Sequence, residues 1–250
     1  MGQTFQNVRW RNAPADMQLH NGEAHVWAAP LDVVIDDLRS FRGSLSAAEA
    51  KQADKFRFEF HRNRFIAGRG TLRAILARYL KTDPTQLDIA YGTRGKPELG
   101  GKFATLGVYF NVSHSEDLAL FAVTRIGHIG IDVEQIRPVK EMNELISRVF
   151  SPPENERFQK LSSGDKTTAF FNLWTRKEAL LKATGEGITE SLSLVEVSFL
   201  PDEPACLLAA AGNPHAAENW RLLELSPAPG FVGAMAIRAP MVDLSCWKWA

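Results

Sequence analysis

The sequence predicts an α+β fold made of two similar halves that meet near residue 128. Each half offers one long helix, over residues 62–81 and 167–183, followed by several strands. Gly127 separates the last strand of the first half from the first strand of the second. No residue-level repeat is detectable, so the two-half arrangement depends on the order of elements alone. The predicted boundaries are an N-terminal arm over 1–22, a first subdomain over 23–128 and a second over 129–250.

The first half is predicted to open with a strand over residues 25–29, which is followed by a helix. This helix begins at Ser46, because a serine followed three residues later by Glu49 forms a capping box that satisfies free backbone amides. It extends to about residue 60.

The long helix of the first half is marked by an apolar stripe at helical spacing. The members of the stripe are Phe65, Leu72, Leu76 and Tyr79. Pro84 ends the helix, because proline cannot continue the backbone hydrogen bonds. A turn-rich loop over 92–97 and strands over 108–112 and 118–126 complete this half.

The second half is predicted to begin with a strand over residues 129–134. Two short helices, over 143–150 and 153–161, precede the long helix, which Gly185 ends. Further strands are predicted over residues 194–200, 220–225 and 231–237.

Composition excludes several classes of protein. The 250 residues are 45% hydrophobic, enough for a sizeable core, and the net charge of +0 gives no field for nucleic acid or a membrane surface. No apolar run approaches the roughly 20 residues that span a bilayer. Cys206 and Cys246 lack metal-ligand spacing, which favours a reduced, cytoplasmic protein.

Two carboxylates, Asp132 and Glu134, lie two residues apart on a predicted strand and therefore point to the same side. Such a pair repels itself unless a cation lies between the two groups or one is protonated. Mg²⁺ fits, since it takes a few carboxylates and completes its shell with water and phosphate oxygens. The alternative is an exposed strand end: roughly three such pairs are expected by chance, and Glu154 and Glu156 form another.

Glu178 and Lys182 lie four residues apart on one face of the second long helix. They could act on a phosphate, or form a surface ion pair worth about 0.3–0.5 kcal/mol. Trp174 and Leu181 would hold this helix against a core and fix the direction of Glu178. We expect Trp174 in the core rather than as a binding platform.

Polar side chains cluster where the strand over 108–112 ends. Ser113 and His114 could contact a phosphate, although a turn histidine is an equal alternative. They are not part of a hydrolase triad, because adjacent residues cannot form its geometry and the nucleophile-elbow motif is absent from the sequence.

The loop over 92–97 could also bind phosphate. Gly95 lets the backbone approach a ligand, and Arg94 and Lys96 supply positive charge. The spacing of a P-loop is missing, so a basic surface turn is the alternative. The first long helix adds a basic stripe of Arg62, Arg69 and Arg73, which is typical of a solvated face but also suits a phosphate or an acidic protein.

Taken in order, the segments 94–97, 111–114, 130–134 and 174–182 resemble the motifs of the Sfp-type 4′-phosphopantetheinyl transferases. The resemblance spans roughly residues 45–190. It implies two pseudo-symmetric subdomains with the active site between them. It also implies transfer of the 4′-phosphopantetheine group of coenzyme A to a serine of an apo acyl or peptidyl carrier protein. The reaction would depend on Mg²⁺, with Mn²⁺ as a substitute, and would release 3′,5′-ADP; we expect a monomer.

The resemblance also implies roles for individual residues. The metal ligands would be Asp132, Glu134 and Glu178. The coenzyme A contacts would be Arg69, Arg94, Gly95, Lys96, Asn111, Ser113, His114, Asp132 and Lys182. The catalytic residues would be Glu178 and Lys182. Some family members carry lysines where this chain has Glu49 and Gln52, so the contact to the 3′-phosphate is expected from Arg69 or His114.

Two other functions remain open from the residues alone. A metal-dependent phosphohydrolase would use the same carboxylates, with water in place of a protein serine as the nucleophile. A non-catalytic module would bind coenzyme A or a carrier protein without needing all three acids and Lys182. The general base is also open between Glu178 and a water molecule.

Overall fold

The computed structural model describes residues 8–92, 95–185, 192–201 and 203–249. The predicted α+β fold is confirmed. The helices are α1 (Ile35–Ser44), α2 (Ala47–Ala53), α3 (Glu59–Leu80), α4 (Met142–Val149), α5 (Pro152–Gln159) and α6 (Ser163–Thr184). The first six strands are β1 (Trp10–Asn12), β2 (Glu23–Pro30), β3 (Ile89–Tyr91), β4 (Pro97–Leu99), β5 (Tyr109–Ser115) and β6 (Leu118–Thr124). The other six are β7 (Ile129–Gln135), β8 (Val195–Val197), β9 (Leu207–Ala210), β10 (Trp220–Leu225), β11 (Phe231–Arg238) and β12 (Asp243–Lys248).

Two sheets form the centre of the molecule. One has five strands in the order β1-β12-β2-β6-β5, and the other has three in the order β10-β11-β7. Alternation along the strands divides the core into layers, because successive side chains point to opposite faces. On β2, Trp27 belongs to the core beneath α3, whereas Val26 belongs to the core between the sheets. On β11, Ala234 belongs to the core beneath α6, whereas Met235 belongs to the core between the sheets. The layers therefore run helix, sheet, sheet, helix.

The two halves share one topology. Each contains, in the same order, a strand, two short helices, a helix of 22 residues, a small antiparallel strand pair (β3-β4 or β8-β9) and a closing antiparallel hairpin. In the first half the strands lie in the order β2-β6-β5, and in the second they lie in the equivalent order β7-β11-β10. The C-terminal strand β12 is added to the first sheet, where it pairs in parallel with β2. Residues 243–248 thus lie in the sheet of the first half.

The similarity of the halves extends to buried polar contacts. Capping boxes begin α2 at Ser46 and α5 at Ser151, and the glutamate of each box forms a buried ion pair with the long helix that follows. The cations of these ion pairs, Arg73 and Lys177, are each the fifteenth residue of their helix. Arg73 is therefore buried and is not part of the basic stripe that the sequence predicts.

Several predicted boundaries are wrong. The helix predicted over 46–60 ends at Ala53, and the chain turns before α3 begins at Glu59. The strand predicted over 194–200 is reduced to β8. Helix α1 is not predicted, because it buries only Leu38 and its N-cap residue, Val34, makes no side-chain cap hydrogen bond. Among the described residues, no helix is long and apolar enough to cross a membrane.

Candidate active site

The edge strands β5 and β7 bring the two halves together through side chains. The Asn111 Oδ1 atom accepts a hydrogen bond of 2.8 Å from the backbone amide of Ile131. Two residues further on, the Ser113 hydroxyl donates to Asp132 Oδ1 at 2.7 Å. Since alternate residues of a strand share one face, one side of β5 forms the seam between the halves.

Ser115 continues the same side of β5 and was missed by sequence reasoning. Its hydroxyl donates to Glu134 Oε2 at 2.7 Å and accepts from the backbone amide of Gln135 at 3.2 Å. The two-residue spacing from Ser113 is the signal that could have identified it. Both carboxylates of the predicted acidic pair are therefore held by serines of the other half.

Gly130 allows α6 to lie directly on β7. A Cβ atom at this position would be 1.9 Å from the carbonyl oxygen of Ala179 and 2.5 Å from the amide nitrogen of Ala183. The helix backbone occupies the space that any other side chain would fill. This close approach brings Glu178 and Lys182 beside Asp132.

Lys182 joins the acidic strand to the seam. Its Nζ atom lies 2.7 Å from Asp132 Oδ1 and donates to the Ser113 hydroxyl at 3.1 Å and to the carbonyl of Ile131 at 3.2 Å. All three protons of the ammonium group therefore have acceptors. The sequence leaves Lys182 with either a phosphate or a surface ion pair to Glu178; in the structure its ion pair is formed with Asp132.

The two most buried carboxyl groups of the site are perturbed. Asp132 and Glu178 are 5% and 4% exposed. Burial raises the pKa of Asp132, while Lys182 and Ser113 oppose the rise. Burial, and then the charge of Asp132, raise the pKa of Glu178 to about 7. Glu178 therefore exchanges its proton near neutral pH.

Each of these two carboxyl groups keeps one buried oxygen without a hydrogen-bond donor, Asp132 Oδ2 and Glu178 Oε1. Buried polar atoms are normally paired, so these two oxygens lack the partner that a cation or a proton donor would supply. Glu134 is half-buried and also lies 3.4 Å from Arg137. Among the described residues, no three or more His, Cys, Asp or Glu side chains are grouped so that they could hold a metal ion. The donor set suits Mg²⁺, but its oxygens are not gathered into a closed cluster.

A cavity of about 420 Å³ lies between α3 and strands β5 and β6, and His114 and Arg69 are among its lining residues. Burial lowers the pKa of His114, and the charges of Lys182 and Arg69 add to this effect, so the imidazole is neutral at pH 7. The Arg69 guanidinium lies 5.6 Å from the ring centroid of Phe65 and 5.5 Å from that of Tyr91. The cavity thus combines aromatic surface with a cation.

The ammonium group of Lys96 is hydrogen-bonded to backbone carbonyl groups. Its Nζ atom donates to the carbonyl of Lys182 at 2.6 Å and to that of Ile129 at 3.2 Å, and burial lowers its pKa. It therefore ties the loop after residue 92 to both α6 and β7. Gly95 has a φ of 76°, which favours glycine. Arg94 lies outside the described residues.

A second cavity, of about 430 Å³, adjoins Glu134. Trp174 lines it and is stacked on Phe170 at 6.0 Å between ring centroids. Trp174 is half-buried at the edge of the core, so its ring serves both packing and the cavity wall. Arg137 and Lys140 contribute positive charge to the lining.

Family comparisons agree with this arrangement. The family described as the 4′-phosphopantetheinyl transferase superfamily matches residues 128–234, and the 4′-phosphopantetheinyl transferase N-terminal family matches residues 35–125. The 4′-phosphopantetheinyl transferase HetI of Nostoc sp. is 43% identical over 228 residues, which cover 91% of this chain and 93% of the relative. The chain belongs to the 4′-phosphopantetheinyl transferase family.

Two further similarities accompany this assignment. A putative 4′-phosphopantetheinyl transferase of Synechocystis sp. is 32% identical over 200 residues, which cover 80% of this chain and 78% of the relative. The crystal structure of Thermotoga maritima holo-[acyl-carrier-protein] synthase overlaps 45% of this chain and 62% of its own, at 19% identity and a TM-score of 0.35. The enzyme class, 4′-phosphopantetheinyl transferase, follows from the family.

Proposed function

We propose that this transferase moves the 4′-phosphopantetheine group from coenzyme A to a serine of an apo acyl or peptidyl carrier protein and releases 3′,5′-ADP. The observation that carries the proposal is the buried pair Asp132 and Glu178, each with one unpartnered oxygen, beside the Lys182 ammonium group. This group of charges lies on the seam between the halves, and His114, next to Ser113, lines a ligand-sized cavity.

Coenzyme A would bind with its nucleotide in the 420 Å³ cavity. Aromatic rings and Arg69 suit a base and a phosphate, and a neutral His114 can donate one hydrogen bond to an anionic oxygen. The pyrophosphate would then lie toward Lys182. Because Lys182 is paired with Asp132 in the free protein, its ammonium group is already positioned, while 26% of its side chain remains exposed.

The reaction exchanges one phosphoryl oxygen bond for another. The serine hydroxyl of the carrier attacks the phosphorus attached to pantetheine, and the bond from that phosphorus to the 3′,5′-ADP oxygen breaks. In the metal-free protein the pKa of Glu178 is about 7, so this carboxylate can accept the serine proton; when Glu178 holds the metal, a water molecule is the acceptor. Lys182 stabilises the negative charge on the leaving phosphate.

Asp132, Glu134 and Glu178 are the residues that would hold Mg²⁺. The ion would neutralise charge on the pyrophosphate oxygens. Binding of Mn²⁺ as a paramagnetic substitute, measured by electron paramagnetic resonance without substrate, tests this part separately. We expect the affinity to fall at least tenfold in Asp132→Asn, and an unchanged affinity would contradict the ligand assignment.

Incubation of several apo-carriers with coenzyme A and Mg²⁺, followed by mass spectrometry, tests the transfer. We expect the mass of one carrier to increase by that of the phosphopantetheine group, together with carrier-dependent release of 3′,5′-ADP. Release without a carrier would instead indicate a phosphohydrolase. Binding without either product would indicate a non-catalytic module.

Substitution Glu178→Gln tests the role of this carboxylate in transfer. We expect transfer to fall at least about 100-fold, since the amide neither accepts a proton nor holds a cation as a carboxylate does. Glu156→Gln is the matched control, because Glu156 belongs to the other acidic pair and forms an exposed ion pair with Lys160. Unchanged turnover in Glu178→Gln would contradict the assignment.

A further inference from the structure

Three consecutive charged residues of α6 are buried, which is uncommon for a helix of a protein of this size. Arg176, Lys177 and Glu178 are 1%, 0% and 4% exposed. Consecutive residues of an α-helix point about 100° apart, and residues 175–181 are all buried, so this part of α6 is enclosed on all sides. Only Glu178 points toward the candidate active site, and the other two have partners elsewhere.

The Lys177 ammonium group uses all three of its protons. It donates to Glu154 Oε2 at 2.6 Å and to the carbonyls of Val149 and Leu192 at 2.8 Å each. These partners lie in or next to three different elements that surround α6. A rotation or shift of the helix would break all three hydrogen bonds in the absence of water.

Glu154 connects these elements to one another. Its Oε2 atom also accepts from the backbone amide of Ser151 at 2.8 Å, which closes the capping box of α5. Its Oε1 atom accepts from the amide of Val197 in β8 at 2.9 Å. The carboxylate therefore links α5, α6 and β8, and every one of these contacts is buried.

We propose that Lys177 is a positioning residue, which fixes the rotation of α6 through Glu154 so that Glu178 faces Asp132. The proposal rests on the proposed transfer function. A fully buried ion pair adds little net stability relative to apolar packing, but it distinguishes one helix register from its neighbours because a shifted register leaves charges unpaired. A carboxylate that must meet a reacting proton at hydrogen-bond distance depends on that register.

The first half of the chain carries the same contact without a neighbouring active-site acid. Arg73 pairs with Glu49 at 2.7 Å and donates to the carbonyls of Pro84 and Leu87. The residue that follows it is Ala74, where the second half has Glu178. The Arg73 contact thus provides a control of similar burial and similar chemistry, in which the next residue is not a candidate proton acceptor.

The experiment compares Lys177→Met, Lys177→Arg and Arg73→Met with the wild-type protein. Folding is measured by circular dichroism and thermal unfolding, and kcat and KM are measured for carrier modification below the lowest unfolding temperature. We expect both methionine variants to lose stability, because each leaves a buried glutamate unpaired. Only Lys177→Met should lose kcat, by about tenfold or more, with KM for coenzyme A within about twofold.

Lys177→Arg should recover most of the lost kcat, because arginine makes the equivalent contacts in the first half. A folded Lys177→Met variant with wild-type kcat would overturn the proposal, and so would an equal loss of kcat in Arg73→Met. If Lys177→Met does not fold, kcat is measured for Glu154→Gln instead, since this substitution keeps the shape of the contact and removes the charge of Glu154. Unchanged kcat in Glu154→Gln then overturns the proposal.

Wild-type protein that modifies no carrier would contradict the proposed function and not the positioning role. In that case the affinity for Mn²⁺, measured by electron paramagnetic resonance, is the readout. We expect it to be at least fivefold weaker in Lys177→Met than in Arg73→Met, because a rotated Glu178 no longer faces Asp132. Equal affinities would overturn the positioning role.

Discussion

The single hydrogen atom that forms the side chain of Gly130 determines the distance between α6 and β7. A methyl group there would lie within 2.5 Å of two backbone atoms of α6, which cannot move as a flexible side chain can. We expect Gly130→Ala to lower the free energy of unfolding by about 2–3 kcal/mol. The rate of transfer, measured under conditions where the variant is folded, should also fall, because the displaced helix carries Glu178 and Lys182.

Gly164→Ala is the matched control for this substitution. Gly164 lies in the first turn of the same helix, and an added Cβ would meet only the Ser162 hydroxyl at 3.7 Å. We expect its stability to stay the same or rise by up to about 1 kcal/mol, since alanine restricts the unfolded chain. Urea denaturation of both variants measures the difference, and equal stabilities would contradict the role of Gly130.

The buried His25 makes stability depend on pH. Its Nδ1 atom lies 2.9 Å from the Tyr79 hydroxyl, which also accepts from the Trp27 indole, so the hydroxyl proton is directed at an unprotonated Nδ1. Burial lowers the pKa of His25 from 6.5, with Glu23 opposing. A lowered pKa means that the unfolded chain binds the proton more readily, so stability is complete above pH 6.5 and is lost as pH falls below it.

We expect the free energy of unfolding to fall between pH 7.5 and pH 5.5, measured by urea denaturation at each pH. His25→Gln should show a smaller fall, because glutamine does not titrate. His114→Gln measures the separate contribution of a further histidine whose pKa is also lowered. The same fall in His25→Gln and the wild-type protein would contradict the assignment.

At the scale of single residues, the sequence predicts which side chains share one face of an element, but not which residues of other elements they contact. Spacing alone places Asp132 and Glu134 on one side of a strand, and the structure agrees. It does not reveal that Lys182 pairs with Asp132, because that contact joins a helix to a strand 50 residues away. The burial of Arg73 is equally hidden, since charge on a helix normally indicates a solvated face.

Side chains, rather than a backbone ladder, join β5 to β7. The buried Asn111 amide oxygen replaces the carbonyl that a neighbouring strand would offer to Ile131. We expect Asn111→Ala to cost about 1–3 kcal/mol, because it leaves a buried backbone amide without an acceptor. Hydrogen exchange of the peptide containing Ile131, followed by mass spectrometry, should become faster.

Asn155→Ala is the control for this substitution, since Asn155 is exposed on α5 and bonds only Gln159 among its described side-chain contacts. We expect its stability and the exchange of the Ile131 peptide to match the wild-type protein. Unchanged exchange in Asn111→Ala would show that the seam does not depend on this hydrogen bond.

Elements with a strong local sequence signal could be predicted, whereas elements that are stabilised by contacts with distant parts of the chain could not. The apolar stripe of α3 and the turn residues after β6 lie within the segments that they mark. Helix α1 buries one residue and has no capping side chain, so its stability comes from packing on α3. Strand β12 pairs with a strand more than 200 residues earlier, and no local pattern reports such a partner.

At the scale of the molecule, the order of elements predicts two halves, but the depth of their similarity is visible only in three dimensions. Glu49 and Glu154 each belong to a capping box, and each also forms a buried ion pair with a long helix. The sequence offers arginine at one equivalent position and lysine at the other, with no shared motif around them. A repeat conserved in contacts rather than in residue identity leaves no periodic signal.

The cavity beside Glu134 is the side from which we expect a carrier protein to approach. The second cavity adjoins Glu134, so a serine entering from that side would reach the acidic residues, and the exposed Lys140 lies in its lining. We expect Lys140→Glu to raise KM for an acidic carrier by about three- to tenfold and to leave KM for coenzyme A unchanged, because a charge at the rim of an interface acts mainly on association.

The control is Lys248→Glu, an equal charge change at the exposed end of β12, which should alter neither constant. Higher salt should reduce the difference between Lys140→Glu and the wild-type protein. A raised KM for coenzyme A, or equal effects of the two variants, would exclude this face as the carrier's approach.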